Sequence, residues 1–340
     1  MVALTLSFAA TIFGSCRLMP AQQVPAGIRF DGRVAIVTGA GRGLGRAYAN
    51  DLARRGASVV VNDLAADRAE RVAHEIEAEG HVAAPSSTSA ATADGAREIA
   101  EQTIRRFGKI DAIVHNAGIL RAGEFEKTAD SDLEDVLDVH AKGAFFLTRA
   151  AYPAMREAGY GRIVLVCSGA AMFGLSGVTA YAAAKGAVFG LANALALEAA
   201  QHGILVNSIV PKAKTGISRE VPIPGIDRTS LVRLESRLRP ESVAPLVTFL
   251  ASSECASTGA AFSACAGRFA RIFVGVAEGW LAPEANAVAA EDIRDRFSDI
   301  CALGFSGLVP SSATAEVDEI AVRVARSVAA WEQHGEERPN

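Results

Sequence analysis

The chain has little cysteine and none of it paired. Cys16, Cys167, Cys255, Cys265 and Cys301 are scattered over 340 residues, with no C-x-x-C spacing. That pattern excludes a disulfide framework and a thiolate metal site, and no metal is expected. Free thiols suit a reducing compartment, so a cytoplasmic location is expected. An excess of charge of one sign is also lacking. Lys and Arg number 34 against 38 Asp and Glu, a net charge of −4, which gives no reason to expect a nucleic-acid partner. No uninterrupted apolar run reaches the roughly 18 residues of a membrane span. Val2–Gly14 is apolar in the manner of a signal core, yet no Lys or Arg precedes it and Arg17 follows it. Without a basic leading segment, residues 1–29 are expected to be a disordered extension. The other reading is a start assigned too early, with Met19 the true first residue. What is abundant is apolar content, 50% of the residues, enough for a sizeable core.

The stretch around which the chain is organised runs from Ser168 to Lys185. Ser168 follows the apolar run Ile163–Cys167, Tyr181 comes thirteen residues later, and Lys185 four after that. The sequence from Tyr181 onward reads as helix, and residues four apart share a helix face. A Lys185 ammonium beside the Tyr181 ring is expected to lower the phenol from its ordinary pKa of about 10. Ser168, at a strand end, can hydrogen-bond the oxygen of a carbonyl or alcohol. The three together make a proton-transfer site for a carbon–oxygen centre.

Upstream, Arg33–Thr38 is a short apolar strand that runs into a glycine turn: Gly39, Gly41, Arg42, Gly43, Leu44, Gly45. Arg46–Arg55 then reads as helix. Strand, glycine turn and helix in that order are the context of a dinucleotide site. Glycines let the backbone approach a pyrophosphate, whose charge the helix N-terminus meets. Asp63 closes the second strand, near the interval at which a carboxylate reaches a ribose 2′-hydroxyl, and so favours NAD over NADP. Arg42 argues the other way, since a basic residue in the turn can meet a 2′-phosphate. A plain helix-capping role for Asp63 is the bland alternative.

The remaining pattern alternates. Helices are expected over Leu64–Gly80, Asp94–Phe107, Asp132–Ala150 and Tyr181–Gln201. Strands are expected near His81–Pro85, at Ile110–His115, at Arg162–Cys167, and at Ile204–Val210, closed by Pro211. Strands alternating with helices imply an α/β fold, a Rossmann-type doubly wound parallel sheet with helices on both faces. Ligands bind outside the carboxyl ends of such strands, where Gly39, Asp63, Asn116, Ser168 and Pro211 all fall. The helix from Tyr181 is apolar nearly all round, which suggests burial in a subunit interface.

Thr38-Gly39-x-x-x-Gly43-x-Gly45, Asn116-Ala117-Gly118, Ser168 and Tyr181-x-x-x-Lys185 together resemble the short-chain dehydrogenase/reductase family over roughly residues 30–265. The resemblance implies a nicotinamide-dependent alcohol/ketone oxidoreductase that is a homodimer or homotetramer. It makes Tyr181 the acid/base, Lys185 a ligand of the nicotinamide ribose and Ser168 the group that orients the substrate. It adds Asn116, Ala117, Gly118, Pro211 and Thr215 to the cofactor contacts, Thr215 lying one place off the usual position. Within the family, Val59–Leu64, Asn116–Arg121, Thr148–Ala151 and Pro240–Val247 are similar to the (3R)-hydroxyacyl-CoA dehydrogenase units of the peroxisomal multifunctional enzyme type 2 branch. That likeness implies an acyl-CoA or steroid-like small-molecule substrate and a role in lipid metabolism. Two departures follow. His140 stands where most members carry the Asn of a proton relay, and could substitute for it or be structural. Ser86–Ser89 replaces the region of an adenine-contacting acidic residue.

Three segments are expected: 1–29 as above, 30–267 as the NAD-binding catalytic domain, and 268–340 as an extension. In the extension Ile272–Val276 is expected to be a strand. A later helix carries Val317, Ile320, Val324 and Val328 on one face. By resemblance the extension covers the acyl side of the pocket; otherwise it is packing alone. Competing functions are a hydroxysteroid or polyketide ketoreductase and a non-catalytic NAD-binding subunit. The intact Ser168, Tyr181 and Lys185 argue against the last.

Overall fold

The computed structural model describes residues 27–214, 237–282 and 288–302. One sheet of eight strands runs through them. Its strands are β1 Val34–Thr38, β2 Ser58–Asn62, β3 Val82–Ser86 and β4 Ala112–His115. They continue as β5 Gly161–Val166, β6 Ile204–Lys212, β7 Ala261–Cys265 and β8 Arg268–Ile272. The order is β3-β2-β1-β4-β5-β6-β7-β8. Every pairing is parallel except β7 with β8. The strand order reverses beside β1, so a crevice opens between the carboxyl ends of β1 and β4.

Helices cover both faces, and the sequence assigns successive residues of each strand to opposite sides. In β1, Ala35 and Val37 join one buried cluster while Ile36 joins the other. The first cluster takes in α1 (Gly43–Arg54), α2 (Ala66–Ala78) and the helix Ala244–Ala251. The second takes in α3 (Ala93–Phe107), α5 (Gly143–Glu157) and α7 (Thr179–Ala199). Near the crevice lie two shorter helices, α4 (Asp130–Val136) and α6 (Gly169–Phe173). Between α4 and α5 sits one π-helical turn, Leu137–Lys142.

Three expectations need correction. The single helix expected over Asp132–Ala150 is α4, the π turn and α5 in succession, and it extends to Glu157. Pro211 does not close β6: it is paired opposite Ala264 of β7, one residue before the strand ends. The strand expected at Ile272–Val276 is instead β8, which folds straight back from β7 through Ala266 and Gly267, both at positive φ. Phe273 and Val274 lie beyond it and are exposed. Thr179–His202, the expected apolar helix interrupted by Lys185 and Glu198, is long and apolar enough by composition to cross a membrane. In this fold Ala184, Val188, Ala192, Ala196 and Ala199 on one of its faces are buried, most of them in the second cluster. Its other side exposes Leu197 at 59% in the single chain. Residues 1–26, Thr215 and the expected helix at 317–328 lie outside the described residues.

Candidate active site

The first half of the crevice is built of backbone. Gly39 and Gly43 both have positive φ, which glycine alone adopts freely. A Cβ on Gly45 would lie 2.2 Å from the Gly39 carbonyl oxygen, and one on Gly41 would lie 2.7 Å from Asp63 Oδ2. The turn therefore tolerates no side chain at these points, and it delivers the N-terminus of α1 to the crevice. Arg42 occupies the N-cap position without a side-chain capping bond and is exposed, and Leu44 is partly buried against the first cluster. Thr38 binds this turn to the end of β4. Its hydroxyl accepts from the Asn116 and Ala117 amides, each at 3.0 Å. Asn116 Nδ2 donates to the Thr38 and Gly39 carbonyls at 3.1 and 3.2 Å.

Asp63 sits where its place after β2 predicts, with both carboxylate oxygens engaged. Oδ2 accepts from Gly41 N at 3.0 Å and Oδ1 from Ala65 N at 3.1 Å. Part of its work is thus to brace the glycine turn and the entry to α2, near the bland capping role. Arg71 is a contributor that the sequence did not signal: its guanidinium donates to the Gly41 carbonyl at 2.8 Å.

The second half is built of side chains: Lys185 and His140 are buried, and Ser168 and Tyr181 are partly buried. Ser168 caps α6, its Oγ accepting from Ala170 N at 3.2 Å. Lys185 is buried, and its Nζ donates to the Val166 carbonyl at 2.6 Å and lies 5.9 Å from the Tyr181 ring centre. Burial pushes the Lys185 ammonium down to about 8. Cys167 donates to the Lys185 carbonyl at 3.2 Å, a contact that fixes the helix turn behind the lysine. Tyr181 differs from expectation. Burial raises its phenol above the ordinary value, and a hydrogen bond with Ser168 offsets only part of that. The reason is that desolvation disfavours the phenolate more than its polar neighbours favour it.

His140 belongs to this half. Its ring packs edge-on against Tyr181, centres 5.2 Å apart. Nε2 lies 2.8 Å from the Ile119 carbonyl and 3.2 Å from the Ile119 amide. The shorter contact puts the proton on Nε2, which donates to the carbonyl. Nδ1 is then a buried acceptor without a partner. Burial, seconded by the Lys185 charge, holds the ring well below its ordinary pKa, so it is neutral. Gly118 is required by this packing, since a Cβ there would lie 2.4 Å from His140 Cε1. The π turn presents His140 to this pocket; single π turns recur at functional sites.

The loop after β4 and the loop after α6 are clasped together by Gly123 N donating to the Gly177 carbonyl at 2.9 Å. Phe125 after β4, Phe173 at the end of α6 and Leu175 just past it are exposed, the two phenylalanines at 77% and 75%. Thus Thr38, Gly39, Gly45, Asn116, Ala117, Gly118, His140, Ser168, Tyr181 and Lys185 are brought into one connected site, with Asp63 at its outer edge. Pro211 lies on β6 next to β5. Among the described residues no His/Cys/Asp/Glu cluster could hold a metal ion.

The comparisons with known proteins follow this geometry. The model of the short chain dehydrogenase family matches residues 33–221. The chain is 41% identical over 249 residues to a short-chain type dehydrogenase/reductase of Mycobacterium tuberculosis, covering 71% of this chain and 84% of that one. Over 249 residues it is 42% identical to the peroxisomal multifunctional enzyme type 2 of Drosophila melanogaster, covering 40% of that protein. The solved structure of that full-length enzyme superimposes with a TM-score of 0.74, covering 88% of this chain and 51% of that chain. The chain therefore spans about half or less of the multifunctional relative. A third relative, a (2S)-[(R)-hydroxy(phenyl)methyl]succinyl-CoA dehydrogenase subunit of Thauera aromatica, is 35% identical, with 69% of this chain and 96% of that one covered.

Proposed function

The chain belongs to the short-chain dehydrogenase family, and from that premise we propose that it interconverts a secondary alcohol and a ketone with NAD, Tyr181 acting as acid/base. The carrying observation is the Ser168–Tyr181–Lys185 group at the mouth of a glycine turn that excludes side chains. That turn, with the uncapped N-terminus of α1, fits a dinucleotide pyrophosphate. Asp63 fits a ribose hydroxyl better than a 2′-phosphate, which favours NAD. Thr215 completes the cofactor contacts in this reading. A bound nicotinamide would supply the hydride acceptor for oxidation and the hydride donor for reduction. The protein handles the proton. In oxidation the substrate hydroxyl gives its proton to Tyr181 Oη while Ser168 Oγ holds the same oxygen. In reduction Tyr181 returns that proton to the new alkoxide. Lys185 stabilises the phenolate and orients the cofactor ribose. His140, neutral and with a free Nδ1 acceptor, fits a relay position behind Tyr181.

The substrate proposed is a 3-hydroxyacyl-CoA or a related steroid side chain. A CoA-ester dehydrogenase among the relatives supports it, and the exposed apolar side chains of Phe125, Phe173 and Leu175, on the segments that follow β4 and Ser168, suit a long apolar substrate. The same apolar side chains would suit a hydroxysteroid or polyketide ketone, the second reading. We further propose a homodimer or homotetramer that closes the bare face of α7. The extension after residue 268, with Phe269, Phe273 and Val274 exposed, would wall the substrate side. Free thiols at the four described cysteines suit a cytoplasmic location. The test is NADH or NADPH production from a panel of 3-hydroxyacyl-CoAs, hydroxysteroids and short secondary alcohols. Turnover rising with acyl length supports the reading. Steroid-only turnover moves it to the second, and none on any substrate removes it.

A further inference from the structure

The carboxyl edge of the sheet carries a charged row that the function above does not use. β6 runs in unbroken register from Ile204 to Lys212, against β5 on one side and β7 on the other. Its alternate residues share a face. Ile204 and Val206 lie in the second cluster, packed with α7. Val210 is on the same face, and a Cβ on Gly169, the residue after Ser168, would lie 3.9 Å from its Cγ1. Lys212 is the next residue on that face, so it stands on the side of the sheet that carries Ser168 and Tyr181. Directly opposite residues of paired strands also share a face. Lys212 is opposite Cys265 of β7, and Cys265 is opposite Arg268 of β8. The three form one row: two exposed cations with a partly buried free thiol between them. Behind it on this face come Val210, Ser263 and Ala270, then Ser208, Ala261 and Ile272, and none is acidic. Neither cation carries an ion pair or a hydrogen bond among the described residues.

Two cations with no carboxylate between them suit an anion that offers several oxygens, and phosphate matches both the lysine point charge and the arginine fork. The place of the row says which phosphate. Strands lie about 4.8 Å apart, so Lys212 is about 5 Å across the sheet from the strand that ends at Ser168, and Arg268 about 14 Å. Both lie on the opposite side of that strand from β1 and the glycine turn, away from a cofactor pyrophosphate. The row therefore suits a substrate whose anionic group is remote from its reacting carbon. A CoA thioester is built that way: a long neutral pantetheine arm separates the thioester from a diphosphate and a 3′-phosphate. We propose that Lys212 and Arg268 bind the phosphates of a CoA thioester whose hydroxyl carbon lies at Ser168 and Tyr181. This rests on the acyl-CoA reading of the function, since a steroid or a simple alcohol gives the row nothing to hold.

The first test needs no turnover, because Cys265 lies in the row. The full chain, with NAD present to fill the glycine turn, is labelled with a dianionic aromatic disulfide and, in parallel, with neutral iodoacetamide. Peptide mass spectrometry reads the rate at Cys265 alone. The ratio of the two rates cancels the thiolate fraction and reports the charge around the thiol. In the double variant Lys212→Gln, Arg268→Gln that ratio should fall by at least about five-fold. CoA, and inorganic pyrophosphate alone, should protect Cys265 in the wild type but not in the double variant, and added salt should weaken the protection. An unchanged ratio, or no protection by CoA, would overturn the site. The second test identifies the ligand by turnover. In the double variant KM for a 3-hydroxyacyl-CoA should rise by about 10-fold or more with little change in kcat. The same acyl group on N-acetylcysteamine, which has no phosphate, should be affected far less. Equal loss on both thioesters would make the two cations structural. The site and the function fail separately. Full hydroxyacyl-CoA turnover without protection of Cys265 overturns the row alone, whereas protection by pyrophosphate without any hydroxyacyl-CoA turnover overturns the substrate.

Discussion

The two halves of the crevice reach their task by opposite means. The half made by β1, the glycine turn and β2 works through the absence of side chains. Its contacts are backbone amides and carbonyls, and its charged residues, Arg42 and Asp63, stay at or near the surface. The half made by β5, α6, the π turn and α7 works through side chains taken out of water. There Lys185 is held near 8, Tyr181 above its free value and His140 neutral, each mainly by burial. A binding surface for a charged cofactor has no need of desolvation. A proton-transfer site uses it to set protonation states: burial brings Lys185 toward the working pH, keeps the Tyr181 proton on the phenol and holds His140 neutral. The two halves should therefore fail differently when altered, the first in binding and the second in turnover.

The largest effect expected is on the second half. Tyr181→Phe removes the proton carrier and little volume. Turnover should fall by about 10²–10⁴-fold while NAD binding, measured by calorimetry, stays within a few-fold. Activity close to wild type, or loss of both together, would erase the division between the halves. The pH profile should carry its sign: oxidation needs the phenolate and rises with pH, whereas reduction needs the phenol and falls. Because Tyr181 and Lys185 are close, the profile reports apparent values for the pair.

The next effect is on stability. The Lys185 ammonium sits in a buried site that favours its neutral form, with a pKa of about 8 against 10.5 for an unperturbed lysine. That desolvation costs the fold about 3 kcal/mol at neutral pH. Lys185→Met should inactivate the enzyme yet stabilise it by about 1–3 kcal/mol, the lower figure allowing for the lost bond to Val166. The sign fixes the pH window. Below about 8 both states of the wild type hold the proton and the cost is complete. Between about 8 and 10.5 the unfolded chain holds more of the proton, so wild-type stability rises with pH and the gap to the variant closes. Urea unfolding of both proteins at pH 7 and pH 10 measures it. A variant less stable at pH 7 would show that the lysine is stabilised in place rather than strained.

The same division decides what the sequence made legible. Glycines at Gly39, Gly43 and Gly45 after a strand report a backbone requirement that is local, so the turn and its helix could be read directly, whereas the sheet order could not. The spacing of Ser168, Tyr181 and Lys185 was legible for the same reason. The direction of the Tyr181 shift was not, because burial depends on residues far away in the chain. Nor did helical periodicity reveal the π turn at Leu137–Lys142, which differs from an α-helix by one extra residue. Arg71 went unread because its partner, Gly41, lies 30 residues away. Pro211 misled: a proline usually ends a strand, but it is tolerated beside β7 close to the end of β6.

The smallest expected effect lies in the first half and concerns cofactor choice. Asp63 is half-buried at the edge of the turn, and its oxygens already accept from Gly41 and Ala65. Deleting the side chain would loosen the turn and blur the result, so the informative change is Asp63→Asn, which removes the charge and keeps an acceptor. With water fully screening the pair, repulsion between a carboxylate and a 2′-phosphate is worth roughly 1 kcal/mol at contact distance, or at least about five-fold in preference. Wild-type enzyme should favour NAD in paired kcat/KM measurements. Asp63→Asn should narrow that ratio by about that factor without much change in kcat with NAD. Arg42, exposed at the N-cap, is then available to the phosphate, whereas Arg71 is occupied by the Gly41 carbonyl. Arg42→Ala in the Asp63→Asn background should restore part of the preference for NAD. A wild-type preference for NADP would mean that the arginine outweighs the carboxylate. An unchanged ratio in Asp63→Asn would mean that Asp63 serves the turn alone.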